Sequence, residues 1–205
     1  SQRQMIDKIK RLRVFAPGQP LHGRLVIIDP EDIQYPVHLP LFQTKPNADP
    51  SEAERLHNSA IAQLQYIFDV LLEADVSNYQ SILLGQVIRL CMVIPDATIH
   101  TLRDVLESAA PFKPYIAQLS DDAQHFFGTQ YDDNKGQFVK SRTQMVQKLY
   151  GILENPTFTR MFASPRTAFD MYEEMNAGKV VLIDAAQGHL PGLYKTFGRF
   201  FIAQV

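Results

Sequence analysis

Two short apolar runs, Leu25-Val26-Ile27-Ile28 and Val180-Val181-Leu182-Ile183, set the tightest limit on what this chain can fold into. Each is rich in β-branched residues, is preceded by glycine (Gly23, Gly178) and ends in aspartate (Asp29, Asp184). Compact runs without polar alternation suit strands covered on both faces, as in parallel sheets. Between them lies a long segment dominated by helical periodicity. Strand, helical block, strand, helix is the pattern of an α/β sheet into which a helical subdomain has been inserted between neighbouring strands.

The flanking segments fill in this outline. Ser1 with Gln4 resembles a capping box, and Met5, Ile6, Ile9 and Leu12 then share one face of a predicted amphipathic helix. Its other face holds Arg3, Lys8, Lys10, Arg11 and Arg13 against Asp7, and Pro17-Gly18 ends it. From Pro30 to Pro50 repeated prolines exclude long helix and interior strand, leaving an extended connection with Val37, Leu39, Leu41 and Phe42 packed beneath it. Ser51 with Glu54 reads as a second capping box, opening a helix to about Asp75. Further helices are predicted over 79–90, 98–108, 114–119, 120–127, 137–153, 157–162 and 168–175, with a last one starting near Gly192. Residues 1–45 thus form a core helix, strand and Pro-rich connection. Residues 46–176 form the inserted helical subdomain, and 177–205 return to the core.

Composition narrows the function classes. In 205 residues, 20 Lys and Arg face 22 Asp and Glu, so a formal charge of −2 supplies no global field for nucleic acid or anionic membrane, although a local basic face stays open. The single cysteine, Cys91, permits neither an intrachain disulfide nor a Cys-rich zinc site, and a reducing cytoplasmic compartment is expected. The most apolar stretch, Ser81 to Ile94, is interrupted by Gln86 and Arg89, so no membrane span is predicted in this chain. Both ends read as cut inside secondary structure.

Most chemical constellations fail on spacing. None of the six histidines is paired three or four residues apart, so no helical metal site is expected. Asp121 and His125 read as a helix-surface pair. Asp132-Asp133-Asn134-Lys135-Gly136 lacks calcium-loop spacing and reads as a polar turn. Glu173 and Glu174 diverge on a helix, there is no G-x-S-x-G elbow, and Gly178-Lys179 belongs to no phosphate loop. Two features retain chemical interest. The basic side of the first helix (Arg3, Lys8, Lys10, Arg11) can meet phosphate or simply face solvent. Asp29 and Asp184 fall where open α/β sheets bind ligands, at the carboxyl ends of strands, although aspartate is also an ordinary turn residue.

The order of these pieces resembles a known family. The stretch from Gly23 through Leu25-Val-Ile-Ile-Asp-Pro30 to Leu39-Pro-Leu-Phe42 is similar to the segment after the second strand of HerA/FtsK-superfamily DNA-pumping ATPases, including the TraG/TraD-like coupling proteins of type IV secretion. Asn155-Pro156, Phe162, the run Phe169 to Leu190 and Phe197-Gly-Arg-Phe-Phe-Ile-Ala-Gln204 resemble that family's return from its helical subdomain. Leu39-Pro40-Leu41 departs from the more frequent Asn-Pro-Leu. The resemblance implies a RecA-like P-loop ATPase core of parallel strands with an inserted all-helical subdomain. It implies ATP and Mg for the full-length protein, none bound by this segment, and a homo-oligomeric, hexameric ring that moves DNA. Secretion-system proteins would bind the helical subdomain, and the parent would be cytoplasmic or at the cytoplasmic face of the inner membrane. The phosphate loop would precede Ser1 and the Asp-Glu strand would follow Val205, so the segment is expected to hold no catalytic residue beyond the candidates Asp184 and Arg199, and Arg199 either approaches a neighbouring subunit's nucleotide or serves on the helix surface or as a cap. Two other readings stand beside it: a helical protein-interaction module without catalysis, and a small α/β enzyme using Asp29 and Asp184.

Overall fold

A computed structural model describes residues 2–30, 32–34, 37–43, 49–72, 78–132, 136–166, 169–185 and 194–203. The chain forms two compact units, Ser1–Leu39 with Thr167–Val205 and, inserted between them in sequence, Pro40–Arg166.

The first unit holds a small parallel sheet. Strand β1 (Leu25–Ile28) pairs with β2 (Val180–Ile183) in the register Leu25 to Val180 through Ile28 to Ile183. Both strands are entered from a glycine at φ +72°, Gly23 and Gly178, a left-handed conformation that a Cβ disfavours. The amide of Val180 donates to the Arg24 carbonyl at 2.7 Å and that of Asp184 to the Ile28 carbonyl at 2.9 Å, so the ladder runs from one residue before the strands to one beyond them. The expectation of strands covered on both faces is met only in part. Ile28 is buried, whereas Leu25, Val26, Ile27 and all of β2 are half-buried. Among the described residues the sheet has two strands, so each strand leaves its outer edge unpaired.

Helices α1 (Gln2–Lys10), α9 (Met171–Asn176) and α10 (Tyr194–Ala203) belong to the same unit. Its core consists of Ile6, Ile28, Leu39, Met171, Phe197 and Phe201. The apolar face expected of α1 is only partly used. Ile6 is buried, but Met5 is 56% and Leu12 51% exposed. Asp170 caps α9 by accepting the Glu173 amide at 2.9 Å, and Glu174 pairs with Lys179 at the entry to β2.

The second unit is helical: α2 (Pro50–Leu71), α3 (Asn78–Val93), α4 (Ile99–Glu107), α5 (Lys113–Ile116), α6 (Asp121–Thr129), α7 (Gln137–Leu153) and α8 (Pro156–Phe162). Apolar residues surround α3, and it is accordingly the central helix, packed against α2, α4 and α7 with Leu83, Leu84, Val87, Ile88, Leu90 and Cys91 all buried. A Cβ at Gly85 would lie 2.6 Å from Nε2 of Gln65 on α2, so a side chain there would displace that amide. The start of α2 differs from the expected Ser51 capping box: Asp49 is the cap, accepting the Ser51 amide at 3.0 Å, and Pro50 occupies the first turn. Proline is favoured there because its missing N–H is one that the helix leaves unpaired in any case. Thr98 and Thr101 cap α4 reciprocally, and Asn155 caps α8 ahead of Pro156. The side chain of Gln43 donates to the Pro165 carbonyl, tying the two ends of the inserted unit together. Among the described residues no helix is long and apolar enough to cross a membrane.

Two local features carry expected outcomes. Asp96 follows α3 at φ 55°, where a β-branched side chain is strained. Asp96→Val should lower the urea midpoint by the equivalent of about 1–2 kcal/mol, while Asp96→Gly leaves it unchanged or raises it. On α2, one carboxylate oxygen of Asp69 is buried without a hydrogen-bond partner, and desolvation pushes the carboxyl above its ordinary range. The folded state therefore holds this proton more tightly than the unfolded state. Stability should fall as pH rises from the unfolded toward the folded pKa, and Asp69→Asn should remove that slope and stabilise the protein by ~1 kcal/mol near neutrality, as read by urea titrations across pH.

Candidate functional site

The carboxyl end of the sheet is where the topology gathers chemistry. Because Ile28 and Ile183 are register partners, Asp29 and Asp184 leave the sheet side by side, the adjacency that a carboxylate crevice requires. Asp184 is 3% exposed, a rare burial for an acid, and Asp29 is half-buried. Neither residue is without a partner. Behind β1 the chain turns tightly. The Asp32 amide donates to the Asp29 carbonyl at 3.1 Å, the Asp32 carboxylate accepts the Gln34 amide at 3.0 Å, and Pro30 is buried between them in sequence. This local bonding is what aspartate supplies in turns, so part of the acidity here serves the backbone. Residues 186–193, including Gln187-Gly188-His189-Leu190, lie outside the described residues.

The amino end of the sheet is basic. Arg24 and Lys179 stand at equivalent positions before the two strands, and the Arg24 guanidinium crosses so close to Gly178 that a Cβ there would lie 3.2 Å from Nη1. A side chain at 178 would thus meet both a disfavoured φ and a cation. Lys179 is neutralised by Glu174.

The remaining candidates fall elsewhere. Lys8, Lys10 and Arg11 are exposed on α1 and the turn that follows it, and Arg3 lies on the same helix, its side chain outside the described residues. Arg199 lies on α10, its side chain likewise outside the described residues. Asp132 pairs with Arg142 at 2.7 Å, while 133–135 are outside the described residues. Burial pushes the Cys91 thiol far up, which makes it inert as a nucleophile. Among the described residues no group of three or more His, Cys, Asp or Glu is arranged to hold a metal ion.

Sequence reasoning passed over Arg24. The signal was present: no acidic residue occurs between Asp7 and Asp29, so every charge in that interval is positive. No family model, curated protein or solved structure matches this chain.

Proposed function

We propose that this chain is the interior of a P-loop motor domain of the conjugative, DNA-translocating kind, with a RecA-like core whose phosphate loop and Asp-Glu strand come from other parts of the protein. The observation that carries the reading is the pair β1 and β2. Two apolar strands run parallel and in register, a whole helical unit occupies the crossover between them, and every strand side chain but that of Ile28 is only half covered. A two-stranded sheet alone is marginal in water, and a free strand edge is a template for another strand. Further parallel strands beside the pair would pair those edges. Because β1 and β2 bond to each other directly, added strands belong outside the pair. The sequence likeness over Gly23 to Phe42 and Phe169 to Leu190 supports the same reading.

On this reading ATP and Mg are held by segments other than this one, a homo-oligomeric ring encircles or engages DNA, and the helical unit serves as a surface for secretion-system partners in the cytoplasm. Asp184 closes a core strand, and Arg199 is the residue of α10 that would approach a neighbouring subunit's nucleotide. The test is in-frame translation of the coding region on both sides of the segment. A glycine-rich phosphate loop shortly upstream and an apolar strand ending in Asp-Glu downstream are the expected result, and a start codon just before Ser1 with a stop just after Val205 would overturn it. The pure chain should show no magnesium-dependent ATP hydrolysis above background, and genuine turnover that co-purifies with it would remove the reading.

A second reading, a helical interaction module without catalysis, draws support from the bond that ties Gln43 to Pro165 and gives the inserted unit joined ends around its own core. It predicts that no motor signatures flank the segment.

A further inference from the structure

Lys8, Lys10, Arg11, Arg13 and Arg24 are all exposed, within an interval that contains no acid, in a chain whose formal charge is −2. The chain folds this interval back on itself. After α1 a short 3-10 turn over Arg13–Phe15 leads into a loop closed by the Leu21 amide donating to the Val14 carbonyl at 3.2 Å, and the Arg24 amide then donates to the Leu21 carbonyl at 3.0 Å. Closing the loop between positions 14 and 21 brings Arg13 and exposed His22 to the same end of it, with Arg24 two residues on. Lys10 is 3.9 Å from Asp7, but Lys8, Arg11, Arg13 and Arg24 make no ion pair with any described residue. Four cations without an ion pair among the described residues, on one short stretch of a chain with an acidic balance, are a local field for a polyanion.

We infer that Lys8, Arg11, Arg13 and Arg24 form a phosphate-tracking edge that holds the backbone of a nucleic-acid strand without reading its bases. The choice of nucleic acid as the polyanion rests on the DNA-handling reading above. The choice of backbone contact rests on this surface, because its exposed side chains are chiefly cations: Phe15 is half-buried, and His22 is the one exposed ring of the interval. A lipid surface fits less well. An interfacial helix needs a continuous bare apolar face; α1 exposes Met5, but its Ile6 is buried in its own unit, and exposed Leu12 and the cations at 13 and 24 lie beyond the helix.

Each phosphate neutralised contributes a slope of about −0.9 in log affinity against log salt for duplex DNA, so four contacts predict a loss of about 150-fold between 50 and 200 mM salt. The test is fluorescence anisotropy of a labelled random-sequence duplex with the full chain over that range. Changing the four residues to glutamine should bring the slope close to zero. Changing four exposed cations of the helical unit (Arg55, Lys113, Lys140 and Arg166) alters net charge equally and should leave it unchanged. Circular dichroism on both variants separates lost binding from lost folding. No salt-dependent binding by the parent chain, equal losses in the two variants, or capture by phosphatidylserine vesicles in place of DNA would each overturn the inference. The outcome is independent of the flanking sequence, so motor signatures can be found while this edge fails, and the reverse.

Discussion

Truncating Tyr131 to alanine should lower the stability of the helical unit by about 3–5 kcal/mol, the range for deleting a large aromatic side chain from a packed core. Tyr131 is fully buried just after α6, packed against Phe126 and Phe127 with ring centroids 6.3 and 5.1 Å away. Its hydroxyl donates to the Val105 carbonyl on α4, and the Arg142 guanidinium of α7 lies 4.5 Å above its ring while bonding Asp132. One side chain thereby ties three helices, and burial pushes its phenol up to about 12, so it stays a neutral donor throughout the working range. Tyr131→Phe keeps the packing and loses only the hydroxyl, and should cost about 1–2 kcal/mol. Arg142→Met, which removes the cation over the ring, should fall between zero and the phenylalanine variant. Urea unfolding followed by far-UV circular dichroism reads all three. An alanine variant within about 1 kcal/mol of the parent would show that the cavity collapses without consequence.

None of that network was legible in the sequence. Tyr131, Val105 and Arg142 are separated by up to 37 positions, and only α7 folding back beside α4 brings them together. What the sequence carried was local. The β-branched runs at 25–28 and 180–183 are strands, the glycines before them take the left-handed conformation that opens each strand, and the apolar surround of α3 marks the central helix. Helix ends were legible to within a residue at α8, read over 157–162 and starting at Pro156 behind the Asn155 cap. At α2 they were not, because Asp49 and Ser51 are both competent caps and Pro50 between them tips the choice. The face of α1 failed for another reason. Periodicity names the apolar stripe but not how much of it has anything to cover it, and Met5 and Leu12 remain bare. At the sheet, the sequence placed an aspartate after each strand, and pairing in register put those two aspartates side by side, a fact of tertiary structure that no spacing contains.

The same half-covered surfaces make the smaller unit the weaker one, and Phe201→Ala should expose this. Phe201 is 2% exposed on α10, edge-to-face with Phe197 at 4.9 Å. It is among the few buried side chains of a unit whose strands, Ile28 apart, are half-buried and which leaves Met5, Leu12, Tyr172, Met175 and Ile202 in solvent. The loss of about 3–5 kcal/mol expected for a buried phenylalanine is a modest fraction of a well-cored domain's stability but most of what so small a core can supply. Phe201→Ala should therefore unfold residues 1–39 and 167–205 while the helical unit stays folded. Hydrogen exchange would show protection lost over 25–28 and 180–183 and kept over α3 and α7. Tyr131→Ala should give the opposite pattern, because the second unit encloses its own core and has its ends tied by Gln43 and Pro165. Uniform loss of protection in both variants would mean that the two units unfold as one. Selective loss would mean that the sheet-bearing unit unfolds on its own, with a core too small to survive the loss of one phenylalanine.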